Sequence, residues 1–158
     1  MPIDKQTFRQ TLGQFAAGVT IVTTLGREGK PCGLTVSAFS SVSLEPPLIL
    51  VCIDKGAESY PQFWEAEAFC VSILSVAQQQ ISNQFAKSGT DKFAGVETLP
   101  GATGVPWIAG ALAHLDCRTT QRVDAGDHSI FVGAVEAAEA FGGEPLIYYS
   151  SSYRKIVG

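Results

Sequence analysis

The stretch from Gly33 to Asp54, GLTVSAFSSVSLEPPLILVCID, carries the reading of the fold. Its first half alternates. Leu34, Val36 and Ala38 fall on one face of an extended chain, and Thr35, Ser37 and Phe39 on the other. That two-residue period predicts one strand over Gly33 to Leu44. Glu45-Pro46-Pro47 ends it, because proline brings no N–H to a ladder. LILVCI, Leu48 to Ile53, is continuously apolar between breakers and predicts a strand buried on both faces.

Upstream, VTIVTT (Val19 to Thr24) is β-branched and reads as a strand, followed by a turn over Gly26 to Gly29. Asp4 is placed to cap a first helix, whose apolar stripe is Phe8, Leu12 and Phe15. Downstream, Pro61 suits the first turn of a short helix carrying Phe63 and Trp64. AFCVSIL (Ala68 to Leu74) predicts a strand. Ser75 and Gln78 then make a capping box for a helix with Ala77, Ile81 and Phe85 on its apolar stripe. Lys87 to Gly110 is mostly irregular and rich in glycine and proline, as functional or ligand-covering segments are. Three further strands follow in ALAHLDCRTTQRVDAG, HSIFVGAVEAAEAF and PLIYYSSSY. Six or more strands with few, irregularly placed helices predict a mainly β, antiparallel barrel and argue against a parallel βαβ sheet.

The chain has 158 residues, 46% apolar and 16% charged, which suits one folded domain over residues 1–158 and argues against disorder. Its net charge of −4, without a Lys/Arg cluster, argues against a nucleic-acid partner. A polar start and the lack of a long apolar run predict no membrane association and a cytoplasmic location. Cys32, Cys52, Cys70 and Cys117 form no CxxC pair, and neither His114 nor His128 stands at a zinc-ligand spacing from them. The expectation is small core cysteines and no metal site. GxGxxG, Walker and GxSxG motifs are absent, so a nucleotide would be held by some other device and a serine hydrolase is not expected.

Four places have side chains suited to chemistry. Thr35 to Ser41 sets hydroxyls and approachable main chain on an apolar strand, able to donate to ring carbonyls or phosphate; its blander reading is a solvent-facing polar side. Gly126-Asp127-His128 is either a hairpin corner or a histidine at a site mouth, donating to a ligand amide or phosphate. His114, in mid-strand, reads as structural or at an interface. Phe85-Ala86-Lys87 with Asp91-Lys92-Phe93 is either a solvated loop or a cover for a planar ring. Tyr148, Tyr149, Tyr153 and Arg154 are either core and interface residues or a stacking platform.

Taken in order, FRQTLGQFAAGVTIVTT, GLTVSAFSSVSLEPPLILVCID, AFCVSILS with QQQISNQFA, DKFAGV, GALAHLDC, GDHSIFVGAVE and PLIYYSSSYRKI resemble the short-chain flavin reductase family, the reductase components of two-component flavin monooxygenases. The resemblance covers about residues 8–156. It implies an antiparallel Greek-key split β-barrel with a few short helices, and a homodimer with flavin sites near the subunit interface. It implies FMN or FAD as flavin, NADH or NADPH as hydride donor, and a flavin-dependent monooxygenase partner.

On this resemblance Thr35, Val36, Ser37 and Ala38 would line the isoalloxazine. Ser41 and Cys52-Ile53-Asp54-Lys55 would meet the ribityl and phosphate groups. Phe85, Ala86, Lys92 and Phe93 would close the pocket, and His128 and Tyr149, with Tyr153, would position the nicotinamide. Ala38 stands where relatives often carry serine, and Ser72 where many carry asparagine. Hydride transfer between two bound rings needs no triad or paired carboxylates, which agrees with their absence. Two rival readings remain: a flavoprotein holding FMN tightly as a carrier or sensor, and a non-enzymatic barrel for another small ligand.

Overall fold

The computed structural model describes residues 2–158. Helix α1 spans Lys5–Leu12, capped by Asp4, whose carboxylate accepts from the Thr7 N–H. Strands β1 (Ala17–Gly18), β2 (Thr20–Leu25), β3 (Pro31–Val36), β4 (Phe39–Ser43) and β5 (Leu48–Asp54) follow. Helix α2 (Tyr60–Glu65) leads to β6 (Ala68–Ile73), and α3 (Gln79–Phe85) to the short hairpin β7 (Thr98–Pro100) and β8 (Pro106–Ile108). The long hairpin β9 (Ala113–Ala125) and β10 (His128–Ala140) precedes β11 (Ile147–Tyr149) and β12 (Ser152–Arg154).

Seven strands form one antiparallel sheet in the order β3-β2-β6-β9-β10-β5-β4. The two edge strands, β3 and β4, are consecutive in the chain, joined by Ser37-Ala38 alone. The sheet therefore rolls into a barrel, split where the edges meet. Val22, Val36, Val51, Ile53, Phe69, Val71, Cys117 and Phe131 pack together inside it, with Phe63 of α2. Gly133 makes this closure possible: a Cβ there would come within 2.6 Å of the Phe69 ring and 2.8 Å of the Cys117 Cβ. A second apolar layer, with Val19, Ile21, Leu74, Phe85, Ile108 and Leu146, covers the outside of β2 and β6.

Four sequence expectations change. The single strand over Gly33 to Leu44 is two strands, because the chain leaves one sheet edge at Val36 and enters the other at Phe39. The strands buried on both faces are β2 and β6, covered outside by α3 and the β7–β8 hairpin; β5 buries Ile49, Val51 and Ile53 while Leu48, Leu50 and Cys52 stay half-buried. The capping box of Ser75 and Gln78 forms, but the face it buries carries Gln78, Ser82 and Phe85, and Ala77 is exposed. PLIYYSSSY is the hairpin β11–β12, turned by Ser150 and Ser151 at φ of 49° and 63°.

Helix α1 forms but stops at Leu12, so that Phe15 of the expected stripe lies beyond it, and it buries none of its residues. Phe8, Leu12 and Phe15 are 51%, 57% and 80% exposed. An apolar stripe at helical spacing with no cover from its own chain is a surface built to meet something else.

Candidate functional site

The joint between the split edges places the first group of site residues. Ser37, Ala38 and Ser41 are exposed there. The Ala38 carbonyl accepts from the Cys52 N–H at 3.0 Å, which pins the joint to the end of β5. Because β3 and β4 are sheet edges, each has one row of main-chain N–H and C=O groups unused by the ladder.

Burial limits what three of the expected residues can offer. Val36 and Ile53 turn their side chains into the barrel core and Phe85 is fully enclosed in the outer layer, so none of the three side chains can touch a ligand. Val36 and Ile53 have main chain alone to offer. The Phe85 ring instead backs Phe93, edge to face at 4.9 Å between centroids.

Helix α3 gathers a second group. The Thr35 hydroxyl donates to the Ser82 carbonyl at 2.6 Å, and the Ser82 hydroxyl bonds the Tyr153 hydroxyl at 2.7 Å. Tyr153 also donates to the Asn83 side-chain oxygen at 3.0 Å. Lys92 Nζ donates to the buried Gly33 carbonyl at 3.1 Å, and Gln84 Nε2 donates to the Lys92 carbonyl at 2.7 Å. Burial holds the Lys92 ammonium below the ordinary lysine range, against the opposing pull of Glu58 and Cys32. Ala86, at the end of α3, is exposed.

Lys92 and Phe93 open onto a cavity of about 620 Å³ bounded by Gly26, Arg27 and Lys30 to Gly33, by Glu58, Ser59 and Gln62 at the start of α2, and by Thr90 and Asp91. The volume lies in the range of small-molecule sites. The Ser59 hydroxyl on its wall is buried and has no hydrogen-bond partner. Cys32, also on the wall, has its thiol pushed up to about 11 by burial, with Lys92 acting the other way. It is expected to alkylate slowly with iodoacetamide near pH 8, because the thiolate is the nucleophile. Cys32 labelling at the rate of an unperturbed cysteine, measured by peptide mass spectrometry, would contradict this environment.

The third group lies at the same end of β5, on its β10 side. His128 pairs in register with Asp54, and the Lys55 N–H donates to the Asp127 carbonyl at 2.9 Å. The Lys55 ammonium is held by Asp124, a contact that raises its pKa. His128 Nδ1–H donates to the Asp127 carboxylate at 2.7 Å, which lowers the Asp127 pKa. A carboxylate only accepts, so Nε2 is the ring nitrogen left free. On the neutral ring Nε2 is an acceptor. It suits the N–H₂ of a carboxamide, where the sequence suggested a donor to amide or phosphate. Tyr149 stands apart, donating to the Gln14 side chain at 3.1 Å with Arg154 over its ring at 5.5 Å. Among the described residues no hydrogen bond or ring contact joins it to His128.

The cavity wall from Arg27, Lys30, Glu58, Ser59 and Gln62 was not foreseen. These residues come from two loops about 30 positions apart, and no local spacing announces that they face one another. Ser72 is also placed: its hydroxyl accepts from the Ile108 N–H at 3.0 Å, a structural bond beneath the β7–β8 hairpin.

With this geometry in view, the profile of the family described as flavin reductase like domain matches residues 12–157. The chain belongs to that family. It is 39% identical over 157 residues to the reductase subunit HsaB of a flavin-dependent monooxygenase from Mycobacterium tuberculosis, covering 98% of this chain and 83% of that protein. It is 42% identical over 145 residues to the reductase component of the flavin-dependent trigonelline monooxygenase of Acinetobacter baylyi; this covers 92% of the chain but only 47% of the longer relative. Among solved structures, the NADH:FAD oxidoreductase SgcE6 of Streptomyces globisporus, in complex with NAD and FAD fragments, superposes with a TM-score of 0.92 at 36% identity, covering 98% of this chain and 93% of that one.

The residues present fit a flavin. The unpartnered Ser59 hydroxyl and the ammonium of Lys92 on the cavity wall are donors suited to a phosphate or a ribityl oxygen, and Phe93 offers an aromatic surface beside them. No helix among the described residues is long and apolar enough to cross a membrane.

Proposed function

We propose that this chain is an NAD(P)H:flavin oxidoreductase, which reduces FMN or FAD with NADH or NADPH and releases the reduced flavin to a partner flavin-dependent monooxygenase. One domain spanning the chain carries the activity. The observation that supports it most is the open joint Ser37-Ala38, with main-chain groups unused by the ladder on both split edges, together with a cavity whose wall carries Lys92 and an unpartnered hydroxyl.

A bound flavin supplies the hydride acceptor, and a dihydronicotinamide the hydride. The chain's part is binding and alignment. Main-chain N–H groups from Thr35 to Ala38 would hold the ring edge and would favour negative charge there. Ser41 and the main chain of Cys52 to Asp54 meet the ribityl chain, with Lys55 beside them. Phe93, Ala86 and Lys92 close the far side. His128, fixed by Asp127, accepts from the nicotinamide carboxamide, and Tyr149 with Tyr153 bounds the second ring. No residue needs to move a proton for the hydride to pass, so the site's work is to hold the reacting atoms about 3–3.5 Å apart and to exclude water.

The test is oxidation of NADH and of NADPH with free FMN and free FAD each titrated in. Saturable turnover with added flavin supports release; a stoichiometric flavin surviving dialysis, with no response to free flavin, would favour the tightly bound carrier. His128→Ala is expected to raise the KM for the nicotinamide nucleotide about tenfold, as loss of one or two kcal/mol of hydrogen bonding does, and to leave the flavin KM nearly unchanged. Equal kinetics with both nucleotides would remove His128 from this role.

The working unit we propose is a homodimer. The uncovered stripe of Phe8, Leu12 and Phe15, with Ile156 and Val157 also exposed, supports it. Phe15→Glu with Leu12→Glu is expected to yield monomers at micromolar concentration in sedimentation analysis. Unaltered mass would place the interface elsewhere.

A further inference from the structure

Outside this site, three buried side chains meet on the outer face of the barrel. Cys70 on β6 and Asp116 on β9 are direct register partners, and His114 lies two residues before Asp116, on the same face of its strand. They are 0%, 1% and 7% exposed. Trp107 of β8 stacks on the His114 ring at 4.1 Å and 14°, and Phe141 stacks on Trp107 in turn. Gly101 closes the other side, where any Cβ would overlap Asp116 Oδ1.

This pocket is well packed but its polar atoms are not satisfied. Neither carboxylate oxygen of Asp116 has a hydrogen-bond donor, and His114 Nδ1 has no hydrogen-bond partner. Nδ1 lies 3.3 Å from Asp116 Oδ2, close without hydrogen-bond geometry. Burying a carboxylate with no compensating group is costly, and such atoms call for a partner.

We propose that Cys70, His114 and Asp116 form a binding site for one divalent transition-metal ion, with Zn²⁺ the species favoured by this donor set. Thiolate, imidazole and carboxylate are the zinc ligands of proteins, and three of them leave a fourth position for water. Two ligands with bonds of about 2.0–2.1 Å to a tetrahedral ion stand about 3.3–3.4 Å apart. His114 Nδ1 and Asp116 Oδ2 are already at that spacing. All three ligand atoms lie within 4.8 Å of one another, so Cys70 Sγ needs to close by little more than about 1 Å to reach the roughly 3.6 Å edge a Zn–S bond sets. Binding forms three metal–ligand bonds and releases the thiol proton to solvent; nothing is oxidised or reduced.

The other ring nitrogen, His114 Nε2, faces Glu139 at 3.9 Å. A carboxylate behind a metal-bound imidazole is the usual outer support of such a ligand. The sequence reading set metal aside because it sought cysteine and histidine close together along the chain. Here the cysteine arrives 44 positions upstream, through the β6–β9 ladder.

The test uses the full chain after dialysis against a chelator. Zn²⁺ titrated by calorimetry is expected to bind at one equivalent per chain. Co²⁺ at the same stoichiometry is expected to give a thiolate-to-cobalt charge-transfer band. Cys70→Ser should abolish the band and Asp116→Asn should weaken Zn²⁺ at least a hundredfold, while Glu139→Gln should weaken it about tenfold. In the unsubstituted chain, Zn²⁺ at a hundredfold excess over Kd should raise Tm by about 5–10 °C over the chelator-treated protein. That comparison decides the matter even if the core variants fail to fold. No stoichiometric binding, no Tm shift, no thiolate band, or binding lost in Cys32→Ala or Cys52→Ala but kept in Cys70→Ser, would each overturn the site.

Discussion

Phe131→Ala is expected to lower the unfolding free energy by about 3–5 kcal/mol, a large part of what a domain of this size has. Phe131 is 1% exposed at the centre of the barrel, on β10 opposite Val51 of β5. Its ring meets Tyr60 at 6.2 Å, Phe63 at 6.4 Å and Trp64 at 6.1 Å, each edge to face. It thereby supports the whole inner face of α2 as well as the sheet. Truncation leaves a cavity that the three aromatic neighbours on α2 cannot jointly fill, so the loss belongs at the upper end for its type. Tm should fall by roughly 6–20 °C at a fixed protein concentration. Phe131→Leu should recover most of the loss. A fall below about 1 kcal/mol in urea unfolding would mean that the barrel centre is not where the stability lies.

How far the sequence reads true depends on the range of each signal. Signals that act within four or five residues were legible. Asp4 caps α1, Ser75 and Gln78 make their reciprocal bonds, and Pro61 opens α2 as expected. Where a residue's fate depends on the far side of the barrel, local pattern gave the wrong answer. LILVCI is the most apolar strand by composition, yet β2 with its three threonines is enclosed on both faces. Those hydroxyls find distant carbonyls: Thr20 donates to Val36, Thr24 to Ala68 and Thr23 to Pro106. A threonine satisfied across a ladder is as buriable as a valine, and the alternation rule does not see the partner.

The same limit applies to the site. Family resemblance named Thr35 to Ala38, Ser41, Lys92 and His128 among others. It did not distinguish exposed side chains from those that turn inward. Val36, Ile53 and Phe85 belong to the packing, and their contribution is to hold main chain and neighbours in place. Thr35 is intermediate, since its hydroxyl already donates to Ser82 and retains only its lone pairs for a ligand. The charge of the region was also hidden. A chain of net charge −4 nonetheless brings Arg27, Lys30 and Lys92 to one cavity wall, only partly offset by Glu58 and Asp91, because three loops converge there.

Lys92→Met is expected to raise the flavin Kd by about 10- to 100-fold, the equivalent of the 1.5–3 kcal/mol that a hydrogen bond from a charged group contributes. Of the three cations, Lys92 is the one partly withdrawn from water. Arg27 is mostly exposed and spends its charge on Glu65 at 3.5 Å. Arg27→Met should therefore cost less than threefold, and its effect should vanish in high salt, where surface charges are screened. The Lys92 effect should persist in salt. pH gives an independent check. Burial lowers the Lys92 pKa, so its charge is lost at lower pH than the 10.5 of a free lysine. Flavin affinity of the unsubstituted chain should accordingly weaken as pH rises toward that range, before an ordinary lysine would titrate. The Lys92→Met chain should lack that alkaline limb. Methionine preserves the length and apolar stem, and leaves the Gly33 carbonyl without its donor, so the melting temperature of both proteins must be compared. Equal flavin affinity in the two chains, with equal pH profiles, would place the flavin away from this cavity.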